Sequence, residues 1–256
     1  MPALLDPADL LARAKRRDPG RPLITYYDLD SGGRVELSVT TVDNWVAKTA
    51  GLLADELGVE AGDVVDVDLP AHWLGLVVLA ATWTLGARVA LPQAHESAGA
   101  MTPAAVRVRA ADELRTDQAD STGEVGLVVT STRPLGGPAG VTLPPGAVDL
   151  ARDALGYPDL LAVPAVESQD ALLTAAVPPG QTGARRLVLA PRLDAWVATQ
   201  ALLVPLRDDG SVVLVRSTRT TSSDEATAPD VAAIAADERA SITRGRRSAP
   251  PPGSAG

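Results

Sequence analysis

The chain contains no cysteine and no phenylalanine, and it is poor in the residues that common catalytic motifs require. Without cysteine it can form no disulfide, thiolate zinc site, iron–sulfur cluster or cysteine nucleophile. Two histidines, His72 and His95, are too few for a multi-histidine metal site. The lysines are Lys15 and Lys48, which excludes a lysine-dependent phosphate loop or Schiff base from all later positions.

Charge and hydropathy indicate which partners and compartments are excluded. The 32 acidic residues outnumber the 23 basic ones, giving a net charge of −9, which argues against nucleic acid or an anionic membrane as the main partner. The most apolar stretch, Trp73 to Val89, is shorter than the ~20 residues that a membrane span needs. The first residues lack the basic start and apolar run of a secretory signal. We therefore expect a cytoplasmic protein that neither binds nor crosses a membrane.

Hydrophobic periodicity predicts an α/β fold. Alternation around a Gly-Gly turn predicts a β-hairpin over residues 23–39, and helical spacing follows over 41–57. Residues 63–92 form a β-α-β unit whose helix is apolar on nearly all sides, which is typical of burial against a parallel sheet. The second half predicts further elements, which are strands at 106–108, 124–131, 186–190 and 212–216, helices at 147–155, 193–206 and 230–240, an ambiguous segment at 172–177, and the beginning of a strand at Ile242 and Thr243.

These elements predict one mixed, mostly parallel sheet with helices on both faces, preceded by the hairpin. Residues 184–243 are expected to form a second half of the sheet that packs against the first. The α/β domain is expected to span residues 1–243, with a possible internal boundary near 110–123. Residues 244–256 are rich in Pro, Gly and Ser and lack core-forming side chains, so we expect a disordered tail.

Segments of the chain resemble the AMP-binding, adenylate-forming enzymes, the superfamily of acyl-CoA synthetases and luciferases. The hairpin, the segment Leu-Gly-Val-Glu-Ala-Gly-Asp-Val-Val at 57–65 and the buried helix that closes in Leu-Gly-Ala at 85–87 are similar to the opening of that family. Further similar segments, in the same order, lie at 186–191, 205–206, 209–214 and 232–243. The resemblance implies the fold of the N-terminal subdomains of these enzymes.

The resemblance also assigns a degenerate phosphate loop. The family pattern T-S-G-[ST]-T-G-x-P-K-G is similar to the segment that follows the predicted strand at 124–131, with Ala139 at the lysine position and one residue more than the pattern. Such a loop holds phosphate through backbone amides and hydroxyl donors. Pro134 removes one amide, whereas Arg133 offers a different positive charge. The candidate binding residues, in this reading, are Thr130, Ser131, Gly136, Gly137 and Gly140. In the other reading the segment is an ordinary Gly/Pro surface loop.

Adenylation in the family also uses an aromatic-Gly-x-Thr-Glu motif, a ribose-binding aspartate and a lysine on a mobile C-terminal domain, and the sequence contains no counterpart of these. The resemblance therefore predicts a non-catalytic protein that binds a partner or ligand. Two alternatives stay open, a nucleotide-binding subunit that takes ATP or AMP and borrows catalytic groups from another chain, and a purely structural interaction protein. A second copy or another protein is expected to cover the face left by the missing half of the family fold.

The remaining polar and aromatic candidates predict structure more than chemistry. Asp63, Asp66 and Asp68 flank one strand, and we expect a solvated sheet edge there, with cation binding as the alternative. His72 is expected to cap a helix or to be partly exposed. His95 follows a strand of the parallel sheet, where ligands often bind, or is a plain loop residue. Three tryptophans are assigned by the periodicity, Trp73 and Trp83 to the core and Trp196 to a helix–sheet groove.

Overall fold

The structure, a computed structural model, describes residues 6–92, 103–114, 125–161, 166–174, 181–217 and 229–243. His95, the predicted tail and most of the possible boundary at 110–123 lie outside these ranges. In chain order the described strands are β1 (Pro22–Asp28), β2 (Gly33–Ser38), β3 (Val64–Asp68), β4 (Arg88–Ala90), β5 (Val106–Ala110), β6 (Gly126–Thr130), β7 (Val148–Asp149), β8 (Arg185–Leu189), β9 (Ser211–Arg216) and β10 (Ser241–Thr243). The described α-helices are α1 (Pro7–Arg17), α2 (Val39–Asp55), α3 (Trp73–Thr84), α4 (Leu150–Asp153), α5 (Ala171–Thr174), α6 (Ala195–Ala198), α7 (Val204–Arg207) and α8 (Pro229–Asp237).

The strands form two five-stranded sheets. The parallel sheet has the order β4-β3-β5-β6-β7, and all of its pairs are parallel. The hairpin sheet has the order β10-β8-β9-β1-β2, and β1 and β2 are its antiparallel pair. The predicted α/β class, the hairpin and the mainly parallel pairing are therefore confirmed. The hairpin does not stand apart, because β1 pairs with β9 and joins the strands from the second half of the chain.

The main core lies where the two sheets, α2 and α3 meet. It contains Val65 and Val67 from the parallel sheet together with Ile24 and Leu214 from the hairpin sheet. Every residue of α3 is buried, as its uniformly apolar sequence predicts. A smaller cluster on the other face of the hairpin sheet packs against α8. The hairpin sheet is thus covered on both faces.

Two predicted helices are more irregular than the periodicity indicates. The segment predicted as one helix at 193–206 consists of α6, a π-helical turn at Thr199–Leu203 and α7. Pro205 lies in the first turn of α7 and has no amide hydrogen, which accounts for the changed hydrogen-bond pattern before it. The helix predicted at 147–155 is shorter, because residues 148 and 149 pair with β6 as strand β7.

The prediction of a solvated sheet edge at the β3 aspartates is wrong for Asp66, whereas the Asp68 side chain is 41% exposed. β3 lies between β4 and β5, and the side chain of Asp66 is 11% exposed. Its Oδ2 accepts a hydrogen bond of 2.6 Å from Nη2 of Arg109 on β5. Asp68 pairs with Arg192 from the chain segment after β8. The arginines that neutralise these carboxylates lie 43 and 124 residues away in sequence, so local patterning could not reveal them.

Within the described ranges, no helix is long and apolar enough to cross a membrane.

Candidate functional site

The glycine-rich loop, residues 131–146, follows β6 at the carboxyl edge of the parallel sheet. In open parallel sheets, ligands commonly bind at this edge. Thr130 and Ser131 are each 2% exposed, and the Ser131 hydroxyl accepts a hydrogen bond from the Arg133 amide. Gly136 donates its amide to the carbonyl of Arg133. The first part of the loop is therefore a tight turn that satisfies several of its own backbone groups.

The first residues of α3 hold this turn in place. Nε2 of His72 lies 2.9 Å from the carbonyl oxygen of Arg133, and the Trp73 indole donates to the carbonyl of Pro134 over 2.9 Å. His72 also caps α3, because its Nδ1 accepts a hydrogen bond from the Leu74 amide. The capping role predicted for His72 is confirmed. It is not partly exposed, since only 2% of its surface is accessible.

Burial favours the neutral form of His72. Desolvation lowers the pKa of its imidazole to about 4, and the hydrogen bond to the Arg133 carbonyl only partly opposes this shift. A carbonyl oxygen cannot donate, so Nε2 carries the proton while Nδ1 accepts. His72 is thus a fixed connector between α3 and the loop at neutral pH.

The loop glycines serve different purposes. Gly136, Gly137 and Gly140 all have positive φ, the region that favours glycine. A Cβ on Gly136 would lie 2.9 Å from Cζ2 of Trp73, whereas a Cβ on Gly137 would meet nothing within 4 Å. Gly140 lies under the guanidinium of Arg133, which is exposed. Gly136 is therefore needed for packing as well as for conformation.

A buried carboxylate holds the loop where the family pattern has its lysine. Oδ2 of Asp149 accepts a 2.8 Å hydrogen bond from the amide of Ala139, and Asp149 is 3% exposed. Asp149 is also the N-cap of α4, because its other oxygen, Oδ1, accepts a hydrogen bond from the backbone amide of Arg152. At the position where the family pattern has a lysine, the backbone amide of Ala139 is therefore bound to a negatively charged side chain.

These residues do not fit the triphosphate that the family resemblance implies. The amides of Arg133, Gly136 and Ala139 already have acceptors in the protein, Pro134 and Pro138 have no amide hydrogen, and the buried charge that contacts Ala139 is a carboxylate. A phosphate cradle requires outward amides and positive charge. The described residues also contain no group of three His, Asp or Glu side chains that could hold a metal ion.

A second group of buried polar side chains lies beside the loop, on the hairpin sheet. We call Tyr26, Asp28 and Arg216 the β1–β9 polar cluster. The Tyr26 ring packs edge-on against His72, with ring centroids 4.7 Å apart. Nη1 of Arg216 lies 3.5 Å from the carbonyl oxygen of Thr132. The cluster therefore touches both α3 and the loop.

Burial and the Asp28 carboxylate raise the pKa of the Tyr26 phenol far above its ordinary value, while the positive charge of Arg216 opposes this rise. The phenol is neutral and able to donate a hydrogen bond at all physiological pH values.

The structure places the predicted site residues together only in part. Thr130, Ser131 and Gly136 are buried at the base of the loop, while Gly137 is half-buried and Gly140 is exposed. Trp73 and Trp83 lie in the core as predicted, and each indole donates a hydrogen bond, to Pro134 and Asp170 respectively. The half-buried Trp196 packs against the main core.

The sequence reading missed Asp149 and the β1–β9 polar cluster. Asp149 had a usable signal, because an aspartate directly before a helix is a common N-cap. Tyr26 and Arg216 had none, since 190 residues separate them in the sequence and only the pairing of β1 with β9 unites them.

No known family model matches the sequence. A protein of Mycobacterium tuberculosis described as "TIGR03089 family protein" is 41% identical over 149 residues, which are 58% of this chain and 56% of that protein. Among solved structures, an acyl-CoA synthetase of Brucella canis aligns with a TM-score of 0.67 and 17% identity, over 91% of this chain and 46% of that one. A fatty acyl-CoA synthetase of Mycobacterium tuberculosis aligns with a TM-score of 0.54 and 14% identity, over 92% and 48% of the two chains.

The chain spans about half the length of the relatives that it matches. The predicted resemblance is confirmed at the level of the fold. Because the identity to the solved structures is low, the similarity shows the fold alone and not the activity. The chain has the fold of about half of an acyl-CoA synthetase.

Proposed function

We propose that this protein does not adenylate substrates, and that it acts by binding a ligand or a protein partner with a fold that acyl-CoA synthetases use for catalysis. The observation that carries this proposal is the hydrogen bond from the Ala139 amide to the buried carboxylate of Asp149. The position at which the family pattern has a lysine supplies no cation here, and its backbone donor is already used.

Electrostatics explains why this observation matters. Transfer of a nucleotidyl group builds negative charge on phosphoryl oxygens, and enzymes stabilise it with preorganised cations and donors. A buried carboxylate next to those oxygens would oppose the same charge. No lysine beyond Lys48 is available in this sequence to compensate.

One alternative is a nucleotide-binding subunit that receives catalytic groups from another chain. The positive φ of Gly137 and Gly140 favours it, because such glycines point successive amides outward in anion-binding loops. Arg133 is exposed above Gly140 and adds positive charge. This alternative requires ATP or AMP to bind at the loop.

A second alternative is a structural interaction protein whose partner is another protein or a second copy of the chain. Leu135 is 75% exposed and Val141 is 46% exposed, so the loop presents apolar side chains to its surroundings. Large exposed apolar side chains are frequent at interfaces when they are contiguous. The proposed compartment for all three functions is the cytoplasm.

The decisive assay measures pyrophosphate release from ATP with a panel of carboxylic acids, from acetate to palmitate, and uses an active acyl-CoA synthetase as positive control. We expect no acid-dependent release by the wild type or by the Ala139→Lys variant. Acid-dependent release by the wild type that Thr130→Ala abolishes would overturn the proposal.

Calorimetry with millimolar ATP and AMP separates the alternatives. Nucleotide binding that Gly137→Val removes, without a change in thermal stability, would favour the nucleotide-binding subunit. Absence of binding heat would leave another ligand or a protein partner as the function.

A further inference from the structure

We propose that Arg216 and Tyr26 form a buried recognition site for a small oxyanion, a carboxylate or a phosphate, between the hairpin sheet and the glycine-rich loop. This inference deepens the proposed binding function by naming a site and a ligand chemistry. It does not depend on whether the loop itself accepts a nucleotide.

The pairing of β1 with β9 brings the two side chains to one face. Tyr26 is opposite Leu214 and Asp28 is opposite Arg216 in the parallel register. Residues two apart on a strand point to the same face, so Tyr26, Asp28 and Arg216 share one side of the sheet. The contact between Tyr26 and His72 identifies this side as the one that faces α3 and the loop.

The two side chains proposed to bind the anion are buried, and each has an unused hydrogen-bond donor. Tyr26 is fully buried; its oxygen lies beside the Arg216 guanidinium, which lowers the pKa of the phenol by charge and hydrogen bonding, and its O–H has no acceptor among the described residues. Arg216 is 9% exposed, and its Nε is likewise buried without a partner. Its Nη1 makes one long contact of 3.5 Å, to the carbonyl oxygen of Thr132. Among the described residues, the Arg216 guanidinium therefore keeps a buried Nε donor without a partner and an Nη1 with a single long contact.

Within the described part of the chain, no carboxylate forms an ion pair with Arg216 within 4 Å. Asp28 is its cross-strand neighbour, but the two Asp28 oxygens accept hydrogen bonds from the Asp30 amide and the Ser31 hydroxyl, and no atom of Asp28 forms an ion pair with Arg216. Two half-buried arginines on other strands, Arg109 and Arg185, do have carboxylate partners within 4 Å.

A buried charge without a partner is unfavourable, and proteins usually pair it or bind a counter-charge. The planar guanidinium fork matches the two oxygens of a carboxylate or phosphate, and a neutral phenol next to it donates to the same anion. Arg133, exposed at the adjacent loop position, adds a second guanidinium without an ion pair in the described residues. Together these groups favour a small oxyanion over a cation or an apolar ligand.

The test titrates the purified full chain with inorganic phosphate and, separately, with acetate, at constant ionic strength, and follows binding by calorimetry and by the thermal midpoint. We expect saturable binding of at least one anion and a midpoint that rises with its concentration. Binding of phosphate alone, of acetate alone or of both shows which class of oxyanion the site accepts, and each of these results supports the site.

Four variants make the test specific. We expect Arg216→Met to abolish the binding, Tyr26→Phe to weaken it about 10-fold through loss of one charge-assisted hydrogen bond, and Asp28→Asn to strengthen it about 3-fold by removing a competing negative charge. Arg192→Met is the matched control, because Arg192 is paired with Asp68 and Glu113, and it should bind like the wild type.

Two results would overturn the site. One is the absence of saturable binding of either anion to the wild type. The other is an anion affinity equal to that of the wild type in both Tyr26→Phe and Asp28→Asn. This second result would exclude the site even if Arg216→Met fails to fold. Neither result would bear on adenylation, because pyrophosphate release measures that reaction independently.

Discussion

Nε2 of His72 donates a 2.9 Å hydrogen bond to the carbonyl oxygen of Arg133 and so ties the start of α3 to the loop that follows β6. Its other nitrogen caps the helix. Both contacts require the neutral imidazole, because a protonated Nδ1 could not accept from the Leu74 amide. One tautomer of one side chain thus couples helix and loop.

The stability of the protein should therefore depend on pH through His72. Its folded-state pKa of about 4 lies below the ordinary value of 6.5, so the unfolded state binds more protons between these values. The contribution of His72 to the free energy of unfolding is fully present above pH 6.5. It is lost as the pH drops towards 4, which lowers the free energy of unfolding by roughly 3 kcal/mol. Urea unfolding between pH 4 and 7.5 measures the change.

The matched variant for this prediction is His72→Asn, since asparagine can cap a helix but does not titrate. Its free energy of unfolding should vary less with pH over the same window, although it is less stable than the wild type at neutral pH. Equal pH dependence in the two proteins would contradict the assignment to His72.

Asp149 should contribute more to stability than an ordinary helix cap. Replacing it with alanine leaves the buried Ala139 amide without an acceptor and removes the cap of α4, so we expect a loss of about 2 to 3 kcal/mol in chemical denaturation. Asp149→Asn keeps an acceptor oxygen and should lose less than half as much. Asp194→Ala, which removes only the cap of α6, is the control and should cost about 1 kcal/mol.

Gly136 and Gly137 should respond differently to the same substitution. Gly137→Ala introduces only the strain of positive φ, about 1 kcal/mol, because nothing lies near the new methyl group. Gly136→Ala adds a contact of 2.9 Å with Trp73, so we expect a loss about twice as large. Thermal unfolding of the two variants measures the difference. Equal losses would mean that Trp73 moves aside freely.

The sequence revealed those parts of the fold that depend on local patterning. The all-round apolar character of α3, the positive-φ turn of the hairpin and the alternation in β2 are properties of contiguous residues, and each prediction is confirmed. The alternation predicted for β1 is wrong, because β1 lies inside its sheet and is buried on both faces. The sequence did not reveal the π-helical turn before Pro205, because the flanking apolar spacing stays helical. Propensity and periodicity do not register one absent amide hydrogen.

The candidate site was predicted only where its residues adjoin in sequence. Thr130, Ser131 and Gly136 come together because they follow one strand. Asp66 was misjudged as solvated because its partner, Arg109, lies on another strand, and charge pairing across a sheet leaves no local signature. The same limit applied to Tyr26 and Arg216, which only the parallel register joins.

The ion pair of Asp66 and Arg109 offers a test of that correction. The two side chains are 11% and 15% exposed, and Arg109 also donates to the carbonyl oxygens of Asp66 and Val108. Arg109→Met should lower the free energy of unfolding by about 2 to 4 kcal/mol, because a buried carboxylate loses its main partner. The control Arg17→Met breaks an exposed pair with Asp209 and should change it by less than about 0.5 kcal/mol. Similarly small effects of Arg109→Met and Arg17→Met would contradict the buried ion pair and would indicate that Asp66 is solvated. A double variant with Asp66→Asn should recover part of the loss, since it removes the buried charge that Arg109 stabilises in the wild type.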